Sequence, residues 1–496
     1  MTKVQEQALP VCARGGDVVA KAKTGTGKTL AFMVPSVDRA AASAPRRQRR
    51  TISALVLSPT RELASQTVEE GRLLAHFHGL RIACVYGGTK IQKDYSELGL
   101  KGGLGAPDIL VATPGRLNDH LENTSGVAPG VCDGLETLVF DEADQLLDMG
   151  FRPAIEKILR AISGSRAQRQ TLLFSATLPD DVAGIARLAM RGPDYAFVDT
   201  VGKEDQQTHA RVPQCVVVCE SKAACSAELC ARLADACRDP EHKVIAFFTT
   251  ARQTQLYAEM MIALQRTSRD PACAFLRNTK ILEIHSRKSQ PHRTRVSDEF
   301  RTSAGGCCLL TSDVTARGMD YPDVTRVVQV GLPSDASQYI HRLGRTARAG
   351  KEGSGCLLLC RYEAFFLGDP KIRALPLVQE HPAATPGLED EMVRGARELP
   401  AETRGAAYQA WLGFYNSFLR RLKWDKDTLV EEANDFAVTV LGLPGPPPLQ
   451  AKTVGKMGLK GVRGLNVTKG PPGNAPGSGR GGYGGGGGRG GGRGGG

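Results

Sequence analysis

The eight residues Ala22-Lys23-Thr24-Gly25-Thr26-Gly27-Lys28-Thr29 constrain this chain more than any other stretch. They follow Asp17-Val18-Val19-Ala20, an apolar β-branched run suited to a buried strand, and lead into Leu30-Ala31-Phe32-Met33-Val34, which can continue as a helix. Strand, small-residue loop and helix in that order leave several backbone N–H groups aimed at one spot, beside the positive end of a helix dipole. Such a loop cradles a polyphosphate. Lys28 then reaches the β- and γ-phosphates and the Thr29 hydroxyl ligates Mg²⁺, with Ala22, Thr24, Gly25, Thr26 and Gly27 around them. Ala22 stands where this pattern usually opens on glycine.

Beyond the loop, apolar runs keep alternating with helical patterns, which predicts an α/β fold with a parallel sheet covered on both faces. Ala54-Leu55-Val56-Leu57 runs into Ser58-Pro59-Thr60-Arg61-Glu62-Leu63-Ala64, a strand around Ala83-Cys84-Val85-Tyr86 ends at Gly87-Gly88, and Asp108 to Ala112 ends at Thr113-Pro114-Gly115-Arg116. Ligands of open α/β sheets gather beyond the carboxyl ends of the strands. Hydroxyls, glycines and arginines on that edge make a candidate grip for a sugar–phosphate backbone that carries no sequence information. Leu138-Val139-Phe140 then delivers Asp141-Glu142-Ala143-Asp144. Asp141 is placed to hold Mg²⁺, and Glu142 to orient or deprotonate the attacking water.

Asp199 to Pro213 reads as a linker, after which the alternation restarts with Val216-Val217-Val218 and Lys243 to Thr250. This second α/β domain has no phosphate loop, so it is expected to serve the first domain's nucleotide. Arg345 and Arg348 are three apart on an expected helix and project from one face, as a pair of arginine fingers would. Tyr408, Trp411, Phe414, Tyr415, Phe418 and Leu422 are spaced for one apolar helix face. Lys452, Lys456, Lys460 and Arg463 follow, then a glycine tail bearing Arg480, Tyr483, Arg489 and Arg493. That tail cannot bury a core and suits weak, sequence-blind contact with RNA.

Charge and cysteines narrow the classes. A net charge of +12 and a pI near 9.1 favour a polyanionic partner. The 13 cysteines are scattered, with no CxxC pair and no metal-ligand spacing, which predicts reduced and mostly buried thiols rather than a disulfide framework or metal site. No apolar run approaches the length of a membrane-spanning helix, so no membrane partner is expected.

The ordered motifs resemble those of DEAD-box RNA helicases, whose name Asp141 to Asp144 spell. Thr2-Lys3-Val4-Gln5 is similar to the family's adenine-reading Q motif, with Gln5 on the base. Pro59, Thr60, Arg61, Gly87, Gly88, Thr113, Pro114, Gly115 and Arg116 match its RNA-contacting motifs, and Ser175-Ala176-Thr177 the motif coupling hydrolysis to strand separation. In the second domain the resemblance places Thr249, Gln290, Arg293 and Thr311 on RNA, Gly318 and Asp320 near the ribose, and His341 in an interdomain network with Arg345 and Arg348. It spans Thr2 to Gly350. It implies recA-like domains at 1–200 and 213–375 joined by a linker at 201–212, a helical extension at 376–450 and a disordered tail at 451–496. It further implies a monomeric RNA helicase using ATP and Mg²⁺.

His285 to Gln290 and His341 to Arg348 are similar to the branch of organellar chaperones that help introns splice in fungi, and to their plant relatives. A mitochondrial or chloroplast location is the expectation, against nucleus or cytoplasm. The family's adenine-stacking aromatic upstream of the Q motif has no counterpart, which suggests a missing N-terminal segment. A DNA-dependent ATPase or translocase and a non-catalytic RNA clamp are the alternatives, because phosphate contacts alone do not choose RNA.

Overall fold

Two seven-stranded sheets organise the chain. The computed structural model describes residues 1–22, 25–46, 51–101, 105–132, 134–201, 212–316, 319, 321–347, 351–383 and 386–468. The first sheet comprises β1 (Val18–Lys21), β2 (Ala54–Leu57), β3 (Ile82–Val85), β4 (Ile109–Ala112), β5 (Thr137–Phe140), β6 (Gln170–Ser175) and β7 (Ala196–Asp199). Its spatial order is β3-β4-β2-β5-β6-β1-β7 and every pairing is parallel. β2, β4 and β5 are buried at every position, as a sheet with helices on both faces requires. Alternate residues feed different cores: Leu55, Leu57 and Phe140 pack on one face, Ala54, Val56 and Val139 on the other.

The second sheet holds β8 (Gln214–Cys219), β9 (Lys243–Phe248), β10 (Lys280–Ile284), β11 (Cys307–Thr311), β12 (Arg326–Val330), β13 (Ser354–Cys360) and β14 (Leu377–Glu380). It is also parallel, in the order β10-β11-β9-β12-β13-β8-β14. Ranked within its own domain, each strand takes the same place in both sheets. The two recA-like domains are one topology used twice.

Three expectations need correction. The second sheet runs past residue 375, because Leu377 to Glu380 pair with Gln214 to Val217. The ordered chain runs past 450: helix Ala451–Lys456 and a short parallel pairing of Leu449–Gln450 with Val467–Thr468 precede the tail, held by buried Val454 and Leu459. The apolar face around Trp411 is not one helix. Helix Ala401–Asn416 ends, and a short helix Leu419–Leu422 stops at Lys423, whose φ of 58° is left-handed. Helices Ala401–Asn416 and Lys426–Thr439 contribute Tyr408, Trp411, Tyr415 and Phe436 to the second domain's core. Most of the expected linker, and the tail with Arg480, Tyr483, Arg489 and Arg493, lie outside the described residues. No described helix is long and apolar enough to cross a membrane.

Candidate active site along the carboxyl edge of the first sheet

Strand order sorts the candidate residues into two groups that sequence order interleaves. β3, β4 and β2 are neighbours, and their carboxyl ends carry Gly87-Gly88, Thr113 to Arg116 and Pro59 to Arg61. β5, β6 and β1 are neighbours, and theirs carry Asp141-Glu142, Ser175 to Thr177 and the phosphate loop. One half of the edge presents the candidate backbone-gripping residues and the other the candidate phosphate-site residues.

In the phosphate half, Lys28 is the first residue of helix Lys28–Ser43 and its Nζ lies 2.8 Å from Glu142 Oε1, both side chains being buried. Glu142 sits at φ 50°, a left-handed conformation that is strained for a residue with a Cβ and that recurs at functional sites. Burial pushes the Asp141 carboxyl up to about 8, the neighbouring Glu142 charge adding and Lys28 opposing. Asp141 Oδ2 and Glu142 Oε2 are buried without hydrogen-bond partners among the described residues. Such carboxylate oxygens demand a cation or donor, so Asp141 with the half-buried Thr29 fits the oxygen-ligand chemistry of Mg²⁺.

The loop is tied in on both sides. The Ala22 N–H donates to the Ser175 carbonyl at 2.9 Å. Gly27 has φ 85°, and a Cβ there would lie 2.5 Å from Gln5 Nε2, so glycine is required. Gln5 donates to the Gly27 carbonyl at 3.2 Å and accepts from Thr2 N–H at 3.0 Å. Its amide is anchored on the loop. Exposed Gly25 and half-buried Thr26 complete the described turn, while Thr24 lies outside the described residues. Thr177 donates to Asp144 Oδ2 through both N–H (3.0 Å) and hydroxyl (2.8 Å), and the Ser175 hydroxyl accepts from Asp144 N–H at 3.2 Å. Asp144 was not among the sequence candidates. Its signal was its place two residues after Glu142, in the same acidic run.

In the other half, Thr60 caps helix Arg61–Ala75. A Cβ on Gly88 would fall 2.3 Å from Arg61 Nη1, so the glycine admits the guanidinium. Pro114 opens helix Pro114–Asn123 after buried Thr113, with Gly115 exposed beside it. Arg116 is held by Asp94 (Nε to Oδ2, 2.5 Å) and by the Thr89 carbonyl at 3.1 Å. Burial raises the Asp94 carboxyl, but hydrogen bonds from His120 and Arg116 outweigh it and hold Asp94 below the usual carboxylate range.

Comparison with known proteins supplies the family. The model of the DEAD/DEAH box helicase domain matches residues 2–185, and that of the helicase conserved C-terminal domain matches 221–350. DEAD-box ATP-dependent RNA helicase 26 of Oryza sativa subsp. japonica is 44% identical over 470 residues, covering 94% of this chain and 82% of that protein. The chain belongs to the DEAD-box family of ATP-dependent RNA helicases. DEAD-box ATP-dependent RNA helicase 31 of Arabidopsis thaliana is 44% identical over 473 residues, 94% of this chain, and the chain spans 62% of its length. A solved structure of Mss116p, lacking its NTE and C-tail and bound to ssRNA and AMP-PNP, superposes with a TM-score of 0.78 at 31% identity, covering 92% of this chain and 89% of that one.

Most of the described candidate residues of the second domain are buried side chains. Gln290 Nε2 donates to Glu62 Oε1 at 3.1 Å and Arg293 Nη2 pairs with the same oxygen at 2.7 Å, all three side chains being buried. These two side chains tie the second domain to the first. Glu62 belongs to the Ser58 to Ala64 stretch singled out in the sequence, but an acidic residue has no evident task in a grip on phosphates and was given none. The Thr311 hydroxyl is fully buried and donates to the Ile284 carbonyl at 2.8 Å; half-buried Thr249 follows β9. Helix Ala336–Leu343 ends at Gly344, so Arg345 is not on a helix face. It turns inward, with Nε donating to the His341 carbonyl at 3.3 Å and Nη1 donating to the Met319 carbonyl. His341 is buried beside it. Buried Arg342, also missed, pairs with Asp313 at 2.7 Å. Gly318, Asp320 and Arg348 lie outside the described residues.

Proposed function

We propose that this chain hydrolyses ATP when RNA is bound and uses the cycle to separate short RNA duplexes locally. The observation that carries the reading is the division of one sheet edge into a phosphate half and a backbone-gripping half, with Glu62 of the latter holding the second domain. An arriving triphosphate draws Lys28 off Glu142 and onto its β- and γ-phosphates. Glu142, released, orients the attacking water and takes its proton. Thr29 and Asp141 would hold Mg²⁺, which would supply charge neutralisation on the phosphates.

Arg345 and Arg348 serve as the arginine fingers, a device worth roughly 10³–10⁵ in rate. For Arg345 this requires release from the Met319 carbonyl, which makes hydrolysis wait for a rearranged interdomain cleft. Arg61, Arg116, Thr60, Thr113 and the Gly87, Gly88 and Gly115 N–H groups grip RNA phosphates and sugars without reading bases, with Thr249, Gln290, Arg293 and Thr311 framing the second domain's side. At about 1.4 kcal/mol per base-pair step, by the DNA value, bending one strand opens a few steps and not a long duplex. The protein acts as a monomer on RNA in a mitochondrion or chloroplast. The likeness to Mss116p bound to ssRNA and AMP-PNP supports the RNA and nucleotide assignments.

Steady-state ATP turnover with single-stranded RNA, with DNA of the same sequence and without nucleic acid tests this. Stimulation by RNA alone is the expected result, because the 2′-hydroxyl distinguishes the two. Equal stimulation by both strands contradicts the RNA assignment.

A further inference from the structure

At the opposite, amino-terminal edge of the second sheet, three side chains far apart in sequence converge. Cys237 caps the end of helix Lys222–Ala236, His242 immediately precedes β9, and Cys308 is the second residue of the neighbouring β11. Their ligand atoms all lie within 4.8 Å of one another. The two sulfurs are 3.7 Å apart. Zinc–thiolate bonds of about 2.3 Å in a tetrahedron set a sulfur–sulfur edge of about 3.8 Å, so two corners are already spaced for an ion.

The imidazole is also set for ligation. His242 Nδ1 lies 2.6 Å from the Asp239 carbonyl, which can only accept, so Nδ1 carries the proton and Nε2 the lone pair. A backbone carbonyl on the other ring nitrogen is the usual support of a metal-bound histidine. With Nδ1 turned to Asp239, Nε2 is the ring nitrogen on the side of Thr279, whose hydroxyl is 3.2 Å from it and lies beside the Cys237 side chain. Thr279 has one hydroxyl proton, and the Phe275 carbonyl, 2.9 Å away, competes for it. The lone pair of Nε2 is therefore available to a cation. Cys237 is half-buried, which gives an ion a way in and leaves a fourth position for water.

We propose that Cys237, His242 and Cys308 form a binding site for one thiolate-preferring divalent ion of the zinc class. Both thiols lose their protons on binding, so the two thiolates balance the dication and the buried complex is neutral. The ion pins the helix end to two adjacent strands. Its position on the far edge from the phosphate and RNA residues makes it a structural staple of the second domain.

The test is titration of the reduced, metal-free full chain with Co²⁺, followed by Zn²⁺ displacement. One equivalent giving the visible bands of tetrahedral cobalt and a near-ultraviolet thiolate-to-cobalt band is expected, bleached by Zn²⁺. Cys237→Ser and His242→Gln should each abolish the thiolate-rich tetrahedral spectrum. Cys230→Ser should retain it, although Cys230 and Cys273 sulfurs also lie 3.8 Å apart, because among the described residues no imidazole joins that pair. Zn²⁺ should raise the melting temperature of wild type and not of Cys237→Ser. Circular dichroism verifies that each variant is folded, and its ATP turnover should match wild type. No tetrahedral spectrum, a spectrum unchanged in both ligand variants, or a Cys237–Cys308 disulfide in place of metal binding overturns the proposal.

Discussion

The same half of the same topology is furnished differently in the two domains. β5-β6-β1 in the first sheet and β12-β13-β8 in the second occupy equivalent places. Each first strand leads into a helix whose first residue is lysine, Lys28 in one and Lys222 in the other. Lys28 follows a glycine loop and pairs with Glu142 at the strand edge. Lys222 follows Ser221, which caps its helix conventionally, and pairs with Asp435 at 2.8 Å and with Glu432, both from the extension. Over Lys222 lies a cavity of about 50 Å³ lined by Phe248, Tyr362, Trp411, Tyr415 and Phe436, with room for little more than a water or two. Where the first domain sets Lys28 against Glu142 at the strand edge, the second lines the equivalent place with aromatic side chains. On the proposed function, the loop chemistry and not the fold decides which half takes phosphate.

The largest effect separates Glu142 from Glu363, a buried carboxyl that follows β13 and lines the cavity over Lys222. Glu142→Gln should lower RNA-stimulated kcat by about 10²–10⁴, the range for losing a general base, whereas Glu363→Gln should leave kcat near wild type. Comparable losses from both would erase the distinction. Trp411→Ala should cost about 3–5 kcal/mol of stability in denaturant titration, because Trp411 is stacked on Phe436 at 5.6 Å within the core, with nucleotide affinity unchanged.

Glu363 gives the comparison a pH signature. Burial pushes its carboxyl up to about 7, against hydrogen bonds from the Tyr415 hydroxyl and the Cys360 and Leu332 N–H groups. The folded state therefore holds this proton more tightly than the unfolded chain. Its stabilising contribution is complete below the ordinary glutamate value and declines as pH rises through about 7, on the order of 3 kcal/mol in all. Glu363→Gln should flatten that part of the stability–pH curve. An unchanged slope would falsify the assignment. Lys222→Met should cost about 1–2 kcal/mol, a modest loss because Glu432 and Asp435 are 34% and 48% exposed and partly solvated once unpaired.

Motif spacing and apolar alternation exposed the two-domain α/β plan, because parallel strands buried on both faces leave unbroken runs such as Ala54 to Leu57. What they could not expose was strand order. The division of Gly87, Arg116 and Arg61 from Asp141, Thr177 and Lys28 exists only once β4 lies between β3 and β2. Cys237, His242 and Cys308 were invisible for the same reason, having no local spacing. Arg345 was misplaced because helical periodicity overlooks a stop at Gly344. Lys222 resembles any helix-opening lysine until Glu432 and Asp435 are folded onto it.

Calorimetric titration of the full chain, with RNA present, by a non-hydrolysable ATP analogue tests the contrast between the two edges most directly. One site per chain is predicted, lost in Lys28→Ala and retained in Lys222→Ala. Two sites in wild type, or loss of binding in Lys222→Ala with the fold intact, would contradict it.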